Sequence, residues 1–302
     1  MKNKIAKFIK NPGLLFIFLS DKGYLNWLPD SIYLRIVYFT CFRKRLNLAN
    51  PQTFNEKLQW LKLYNRNPLY TTLVDKYAVK KWVADKIGQE YIIPTLGVWD
   101  KVEDIDFDKL PNQFVLKCTH DSGSIVICRD KNNFNKKEAI KKLTRGLKHS
   151  GYYYGREWPY KNVPPKIIAE QYMQDDAKSE LIDYKFFCFN GNADNVMVCI
   201  DRNIGEPKFY FFNKNWELLR LNKRGKAAPN NFTLDKPILM DKMFELAGIL
   251  SQNIPFVRVD LYYCNDQIYF GEMTFFPQSG FDKNLLPETD IYLGQKLFLH
   301  SK

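Results

Sequence analysis

No hydrophobic run in the chain is long enough to cross a bilayer, which takes about 20 consecutive apolar residues. The longest early run, residues 14–19, is ended by Ser20 and Asp21. The basic first ten residues and this short run weakly resemble a signal peptide, but no small-residue cleavage site follows them. We therefore expect the N-terminus to be retained and the protein to be cytoplasmic.

Cysteine and histidine are few and scattered. The chain has six Cys and no C-x-x-C pair, and several of the cysteines lie in apolar, strand-like runs typical of buried thiols. The three His, at positions 120, 149 and 300, are too dispersed to suggest a structural zinc site. These absences favour a reducing compartment and argue against a fold stabilised by disulfides or zinc.

The sequence also lacks internal repeats and low-complexity tracts. Its 302 residues are 45% hydrophobic and 16% aromatic, which is enough to bury a core and disfavours disorder. The chain is long enough for one large domain or two lobes.

Acidic residues are in deficit, and the net charge of +12 is unevenly distributed. Residues 1–50 contain nine Lys or Arg against two Asp, a surplus of +7. Such a surplus is either an ordinary solvated surface or an attraction to anions, such as anionic lipid, acidic polysaccharide or nucleic acid. No nucleic-acid-binding motif accompanies it, so a nucleic-acid partner is not expected.

Hydrophobic periodicity predicts a mixed α+β protein. Thr53 and Glu56 have the spacing of a capping box, so a helix is expected to begin there. Further helices are predicted over residues 5–19, 31–42, 68–87, 135–149 and 236–252. Strands are predicted over residues 92–94, 113–117, 124–128, 166–170, 183–190, 196–201, 207–213, 256–263 and 267–273.

Two acidic residues lie on the strands of the last predicted hairpin. Antiparallel pairing about a turn at Asn265-Asp266 sets Asp260 opposite Glu272. Adjacent carboxylates repel each other, and Mg²⁺ with phosphate oxygens is commonly held by one or two carboxylates. The pair is therefore a metal site, a solvent-facing acidic pair, or a pair in which Asp260 is bound by Arg258.

Charged residues at other strand ends are compatible with a nucleotide site. Lys117 ends an apolar strand, and the small polar loop that follows can fold its amides over phosphates, although it is not a Walker A motif. An ordinary hairpin with a surface lysine is the competing interpretation. Glu170 either accepts a hydrogen bond from an adenine amino group or simply ends a strand. Lys185 either meets a phosphate or pairs with Asp183.

Taken in order, these residues resemble an ATP-grasp enzyme. The order is Asp75-Lys76-x-x-x-Lys80, Val115-Leu-Lys117, Glu170-Gln-Tyr-Met173, Asp183-x-Lys185, Arg258-x-Asp260 and Glu272-Met-Thr274. With residues 54–60 and 271–277 added, the pattern resembles the TupA-like ATP-grasp family over roughly residues 50–285. That family is named for teichuronopeptide biosynthesis and is often found with surface-polysaccharide genes.

The resemblance implies two α+β lobes that clamp ATP and Mg²⁺. Lys76 and Lys117 would contact phosphates, and Glu170 with the backbone of Tyr172 and Met173 would hold adenine. The ATP-binding set it implies is Lys76, Lys117, His120, Ser122, Gly123, Ser124, Glu170, Tyr172, Met173 and Asp183, with residues 120–124 as a mobile phosphate lid. Asp260, Glu272 and Thr274 would be metal ligands, and Lys185 and Arg258 would be the catalytic cations beside the transferred phosphate.

Three departures from the family pattern qualify this picture. Thr274 stands where ATP-grasp enzymes usually have Asn, which weakens the expectation of a second Mg²⁺. The lid has one Gly where many family loops have several. Residues 1–75 are predicted to be helical and not to form a Rossmann-like pre-domain. We therefore predict a basic helical region over 1–75, a small lobe with the lid over 76–169, and a large lobe with the metal site over 170–302.

The resemblance implies an ATP-dependent carboxylate–amine ligase that works through an acyl phosphate. It suggests a uronic acid of a cell-surface polysaccharide or its precursor as acceptor and an amino acid as amine. The rival enzyme is a glycosyltransferase of polysaccharide biosynthesis, and the rival from another class is a basic polyanion-binding module. The basic N-terminus predicts either peripheral contact with the inner face of the membrane or packing on the catalytic lobes.

Overall fold

The computed structural model describes residues 11–175 and 180–299. Its helices are α1 Pro12–Asp21, α2 Asp30–Phe42, α3 Phe54–Tyr64, α4 Leu69–Val74, α5 Ala78–Ile87, α6 Lys136–Leu147, α7 Lys223–Ala227, α8 Met240–Leu250 and α9 Pro287–Lys296. Its strands are β1 Thr95–Trp99, β2 Phe114–Cys118, β3 Ile125–Cys128, β4 Ile167–Gln171, β5 Asp183–Phe189, β6 Asn192–Ile200, β7 Lys208–Phe212, β8 Leu218–Leu219, β9 Phe256–Cys264 and β10 Gln267–Thr274. The predicted α+β class is confirmed. Part of the helix predicted over 5–19 lies outside the described residues.

The strands form two antiparallel sheets with separate cores. The small sheet has the order β1-β4-β2-β3, and the large sheet has the order β10-β9-β5-β6-β7-β8. Helix α6 packs on the small sheet, whereas helices α2 to α5 and α8 share one apolar cluster with the large sheet. None of the helices within residues 11–175 and 180–299 combines the length and apolarity that a membrane crossing requires.

Helix α3 begins as its sequence predicts and ties the N-terminal region to the large sheet. The side chain of Thr53 accepts from the backbone of Glu56, and the Glu56 carboxylate accepts from the backbone of Thr53, so the capping box is confirmed. Asn55 donates to Asp290 Oδ1 through both its backbone and side-chain N–H at 2.9 Å, which joins α3 to α9. The division into three regions stays a prediction, and its second boundary falls inside β4.

The single helix predicted over residues 68–87 is wrong, because the structure has two. Between them, Asp75 Oδ1 accepts from the backbone N–H groups of Tyr77 and Ala78 at 2.8 and 3.2 Å. The backbone N–H of Lys76 donates to the Thr119 carbonyl at 3.1 Å, outside any helix. The two Asp75 bonds are local and compete with helical ones, whereas the Lys76 bond reaches a residue distant in the sequence. The break fixes Lys76 against the loop that follows β2.

The strand predicted over 92–94 is also wrong, because Ile92 makes only an isolated bridge to Phe270 and β1 starts at Thr95. Pro94 lies between them and has no N–H to donate to a ladder. The final hairpin pairs Glu272 with Asp260 as predicted, and a β-bulge between Phe270 and Glu272 shifts the register by one residue relative to the turn end, where Gln267 pairs with Cys264. Its turn residues, Asn265 and Asp266, have φ of 49° and 57°, as tight hairpin turns require.

Candidate active site between the two sheets

Charged side chains of the large sheet form a row across three neighbouring strands. Lys185 on β5 is paired with Asp260 on β9, and Asp260 is paired with Glu272 on β10. Arg258 and its partner Thr274 lie two residues further along the same strands, so they share this face. The residues between them on β9 are apolar and buried. Charged and apolar side chains therefore alternate along β9, so that the charged ones lie on one face of the sheet and the apolar ones lie in the core on the other.

Arg258 is the centre of this row. Its Nη2 lies 2.6 Å from Asp260 Oδ2, 3.3 Å from Glu272 Oε1 and 3.0 Å from Thr274 Oγ1. Lys185 Nζ donates to the same Asp260 oxygen at 2.5 Å. The structure thus contains the pairing of Asp260 with Arg258 that the sequence left open, and three oxygen acceptors converge on one cationic nitrogen.

The same donor set fits Mg²⁺ in its chemistry. Carboxylate and hydroxyl oxygens are hard ligands of the kind Mg²⁺ prefers, and Asp260, Glu272 and Thr274 already surround a positive charge. Among the described residues, no group of three or more His, Cys, Asp and Glu is placed to hold a metal. Phosphate oxygens would therefore have to complete the coordination, and the metal role of these three residues stays a prediction.

Cations from both sheets act on Glu272. Burial would raise the pKa of its carboxyl, but Lys185 and Arg258 outweigh this and hold the pKa at about 2. Lys76 and Lys117 add to the same effect from the small-sheet side. Glu272 is therefore ionised at neutral pH in a strongly positive environment, which is suited to a polyphosphate and its counter-cation.

Glu170 on β4 is buried between two lysines. Its Oε2 accepts from Lys117 Nζ at 2.6 Å, and its Oε1 contacts Lys80 Nζ. Burial raises the pKa of Glu170, but the two ammonium groups outweigh it and lower the pKa below its usual value. Lys80 belonged to the sequence pattern without a predicted role. The adenine role of Glu170 stays a prediction.

The loop between β2 and β3 is organised by Asp121, which the sequence reasoning did not single out. Asp121 Oδ2 accepts from Ser124 Oγ at 2.5 Å, and its Oδ1 accepts from the backbone of Ser124 at 3.2 Å. Lys76 Nζ donates to the Asp121 carbonyl, and burial lowers the pKa of Lys76. An Asp that bonds its own loop three residues on is a recognisable turn signal.

The remaining lid residues divide into buried and exposed ones. His120 is buried, and its Nε2 contacts the His149 carbonyl at 2.9 Å. Its Nδ1 has no partner in the part of the chain that the structure describes. Ser122 and Gly123 are exposed at the tip of the loop.

A cavity of about 760 Å³ is lined both by residues of the lid loop and by residues of the charged row around Arg258. It is lined by the predicted residues Ser122, Gly123, Ser124, Arg258, Glu272 and Thr274. Its other walls come from α6, from residues 149–160 and from residues 276–279, none of which was predicted to take part. Two features of the sequence could have indicated these walls: the amphipathic pattern of α6 and the aromatic-rich stretch 152–160.

Other predicted residues lie outside that cavity. Tyr172 follows β4, and its hydroxyl accepts from Arg129 Nε at 3.1 Å. Asp183 is buried against Lys185 and Arg202, at 3.0 and 2.7 Å, and its Oδ1 lacks a hydrogen-bond partner among the described residues. Lys76, Lys117, Glu170, Met173 and Lys185 are also absent from the lining. The cavity therefore extends from the carboxylate row away from the predicted adenine end.

A family model described as TupA-like ATPgrasp matches residues 56–298, most of the chain. The chain belongs to the TupA-like ATP-grasp family. The predicted family, the ATP-grasp fold and the ATP-grasp enzyme class are confirmed at this level. The matched region begins within α3 and ends beyond α9. Both sheets of this TupA-like ATP-grasp protein therefore lie inside it.

Solved structures similar to this TupA-like protein are distant in sequence. A D-alanine–D-alanine ligase from Helicobacter pylori is 14% identical, with a TM-score of 0.45 over 81% of this chain and 69% of that one. The Bacillus anthracis D-alanine–D-alanine ligase complexed with ATP is 16% identical, with a TM-score of 0.44 over 75% of this chain and 62% of that one. No curated protein matches the chain.

Proposed function

We propose that this protein is an ATP-dependent carboxylate–amine ligase that attaches an amino acid to a uronic acid of a cell-surface polysaccharide or its precursor. One observation carries the proposal. Two carboxylates and a hydroxyl converge on Arg258 at the rim of a 760 Å³ cavity that the lid loop also lines. Family membership supports the ATP-dependent part, and the cavity offers room for substrates beyond the triphosphate.

The proposed reaction uses the charged row for orientation and charge stabilisation. A substrate carboxylate attacks the γ-phosphate and ADP leaves, which gives an acyl phosphate. An amine then attacks the acyl carbon and displaces phosphate, which forms the amide. Lys185 and Arg258 would stabilise the transferred phosphoryl group, as fixed cations do in phosphoryl transfer. Asp260, Glu272 and Thr274 would hold Mg²⁺, which neutralises phosphate charge when bound. Lys76, Lys117 and the lid residues His120, Ser122, Gly123 and Ser124 would enclose the phosphates.

The adenine end of the proposed site lies on the small sheet. Glu170 and the backbone of Tyr172 and Met173 would receive the base, and Asp183 would complete the nucleotide site through its unsatisfied oxygen. Glu170 accepts from Lys80 and Lys117 in the structure, so adenine would share that carboxylate with them.

The direct experiment is a screen of amino acids and uronic acids for ADP release. ATP with Mg²⁺ should raise the melting temperature, because a ligand that binds only the folded state stabilises it. UDP-sugars should have little effect. Stabilisation by UDP-sugars and not by ATP would instead support the rival glycosyltransferase. Steeply salt-dependent binding to nucleic acid without ATP affinity would support a polyanion-binding module.

We also propose that the protein works in the cytoplasm at the inner face of the membrane. Helix α1 exposes Leu14, Leu15 and Phe18 on its outer side, by 39%, 39% and 41%. Trp27, in the turn after α1, is 76% exposed, and Lys22 lies over the Phe18 ring. An apolar face with flanking lysines is suited to an anionic membrane surface, where lipid-linked precursors would be found.

A further inference from the structure

The second half of the proposed reaction needs a group that accepts a proton. An amine is largely an ammonium ion at neutral pH, and an ammonium ion has no lone pair with which to attack an acyl phosphate. A carboxylate, a histidine or a released phosphate can take that proton. This inference rests on the proposed function, because it concerns how that amine becomes a nucleophile.

Three carboxylates line the cavity, and two of them are already engaged. Asp121 accepts from the backbone and hydroxyl of Ser124, and so holds the lid loop. Glu272 belongs to the row around Arg258. The third, Glu157, accepts at Oε1 from the uncharged Ser279 hydroxyl at 2.6 Å. No ion pair to Glu157 within 4.0 Å occurs among the described residues. It is therefore the lining carboxylate with capacity left for a substrate.

The backbone on both sides of this carboxyl is held in a strained arrangement. Gly155 and Arg156 have φ of 74° and 55°, and Gln278 and Ser279 have φ of 50° and 52°. Non-glycine residues adopt such angles only when their surroundings enforce them, and they cluster at functional sites. Both segments line the cavity through Glu157 and Ser279.

Lys62 of α3 is the residue that joins these two segments. It is 1% exposed, and its Nζ donates to the Gly155 carbonyl at 2.6 Å and to the Ser279 carbonyl at 2.7 Å. Gln59, one turn earlier, accepts from Lys62 at 3.0 Å and donates to the Gly280 carbonyl at 2.6 Å. One helix thus fixes both loops, and with them the position of the Glu157–Ser279 pair.

The electrostatic surroundings suit a carboxylate that exchanges protons. Burial raises the pKa of Glu157, and Lys62, Ser279 and Arg258 partly oppose that rise, whereas Glu272 adds to it. A carboxyl whose pKa lies closer to neutrality is a better proton acceptor than an ordinary one. The charged groups that act on Glu157 are thus Lys62 from α3, Arg258 from β9 and Glu272 from β10. Arg258 and Glu272 also act on Tyr160 of its own segment.

We propose that Glu157 is the catalytic proton acceptor for a primary amine bound in the cavity, with Ser279 and Lys62 as its positioning residues. The ammonium group gives one proton to Glu157, and its nitrogen lone pair then forms the C–N bond. The acyl C–O bond breaks, and its electron pair leaves with phosphate. The second nitrogen proton goes to that phosphate, which departs as hydrogen phosphate, and Glu157 returns its proton to solvent.

The experiment compares two nucleophiles on one acyl phosphate. The full chain would receive ATP, Mg²⁺ and glucuronate or galacturonate, with either an L-amino acid mixture or hydroxylamine, which is largely unprotonated at neutral pH. In Glu157→Gln, amide formation should fall by about 100-fold or more, as loss of a general base does. Hydroxamate formation should stay within about threefold of wild type, because that nucleophile needs no deprotonation. Amide formation by the variant should recover as pH rises and more free amine is present.

The controls separate this inference from the proposed function. Glu206→Gln, at an exposed position outside the cavity, should leave both products unchanged. Glu157→Asp keeps a carboxylate and should retain more amide formation than Glu157→Gln. Equal loss of both products in a folded Glu157→Gln protein, or retention of both, would overturn the role of Glu157. Absence of ADP release by the wild type with every acid tested would overturn the proposed function itself.

Discussion

At the residue scale, Lys62 is a buried ammonium whose charge should be visible in the pH dependence of stability. Burial lowers its pKa to about 7, while Glu157 and Asp30 partly oppose the shift. Above pH 7 the folded protein releases this proton and the unfolded chain keeps it until its ordinary pKa of about 10.4. The unfolded state then binds more protons, so Lys62 makes the free energy of unfolding rise with pH across that window.

Replacement by Met tests this account. Lys62→Met leaves the Gly155 and Ser279 carbonyls without their donor, which should lower the free energy of unfolding by about 1–3 kcal/mol or more. Urea denaturation at pH values from 6 to about 10 should show that the free energy of unfolding of the wild type rises with pH relative to that of Lys62→Met. Parallel curves would show that Lys62 does not titrate in this window.

The two predicted acidic metal ligands should fail in different ways when neutralised. Glu272 is held ionised by Lys185 and Arg258, so Glu272→Gln should stay folded with a lowered melting temperature. It should also reduce ADP formation by about 100-fold or more, beyond the loss typical when a group that only supports a metal ligand is removed. Asp260 is buried between Arg258 and Lys185. Asp260→Asn removes the shared carboxylate of two buried cations and leaves Lys185 with Asp183 and Arg258 with Glu272, so it should also cost about 3–5 kcal/mol of stability. Near-normal turnover by folded Glu272→Gln, alongside Glu206→Gln as control, would contradict the metal assignment.

At the scale of elements, the position of the lid depends on a close approach by α6. A Cβ on Gly146 would lie 2.2 Å from Ser124 Oγ and 2.7 Å from Cys118 Sγ. Gly146→Ala should therefore displace the loop, at a cost of about 1–3 kcal/mol for overpacking, and raise the KM for ATP. Lys141→Ala on the exposed side of the same helix is the matched control. An unchanged KM in Gly146→Ala would mean that lid placement does not limit ATP binding.

What the sequence could predict depends on whether the signal is local. The capping box at Thr53 and the pairing of Asp260 with Glu272 follow from spacings within one element or one hairpin, and both are present. The break at Asp75 depends on a bond from Lys76 to Thr119, which no local pattern contains. The Glu157–Ser279 pair joins residues 122 positions apart through irregular backbone. Irregular segments have no hydrophobic periodicity from which such a contact could be predicted.

At the scale of the whole molecule, the outer face of α1 should direct the protein to anionic membranes. Each basic residue near an anionic leaflet contributes about 1 kcal/mol, and the first 50 residues carry a surplus of +7. The full chain should co-sediment with phosphatidylserine-containing liposomes at low salt, less at high salt, and little with neutral liposomes.

A triple variant tests whether α1 makes that contact. Changing Leu14, Leu15 and Phe18 to Gln removes exposed apolar surface and should abolish most sedimentation without changing the melting temperature. Ile204→Gln removes a 65% exposed apolar residue from the turn between β6 and β7, and should have no effect. If the wild type ignores anionic vesicles at low salt, the membrane proposal is wrong.

The contact between α3 and α9 also sets an order of events during synthesis. The side chains of Asn55 and Lys57 bind Asp282, Asp290, Gly294 and Leu297, up to 240 residues later in the chain. At translation rates of about 5–20 residues per second, α3 waits roughly 10–50 s for these partners. Helix α3 bears Lys62, so the strained loops beside the cavity gain their final support only after residues 290–297 have been synthesised. The site therefore assembles late in the order of synthesis, after α9 is available to α3.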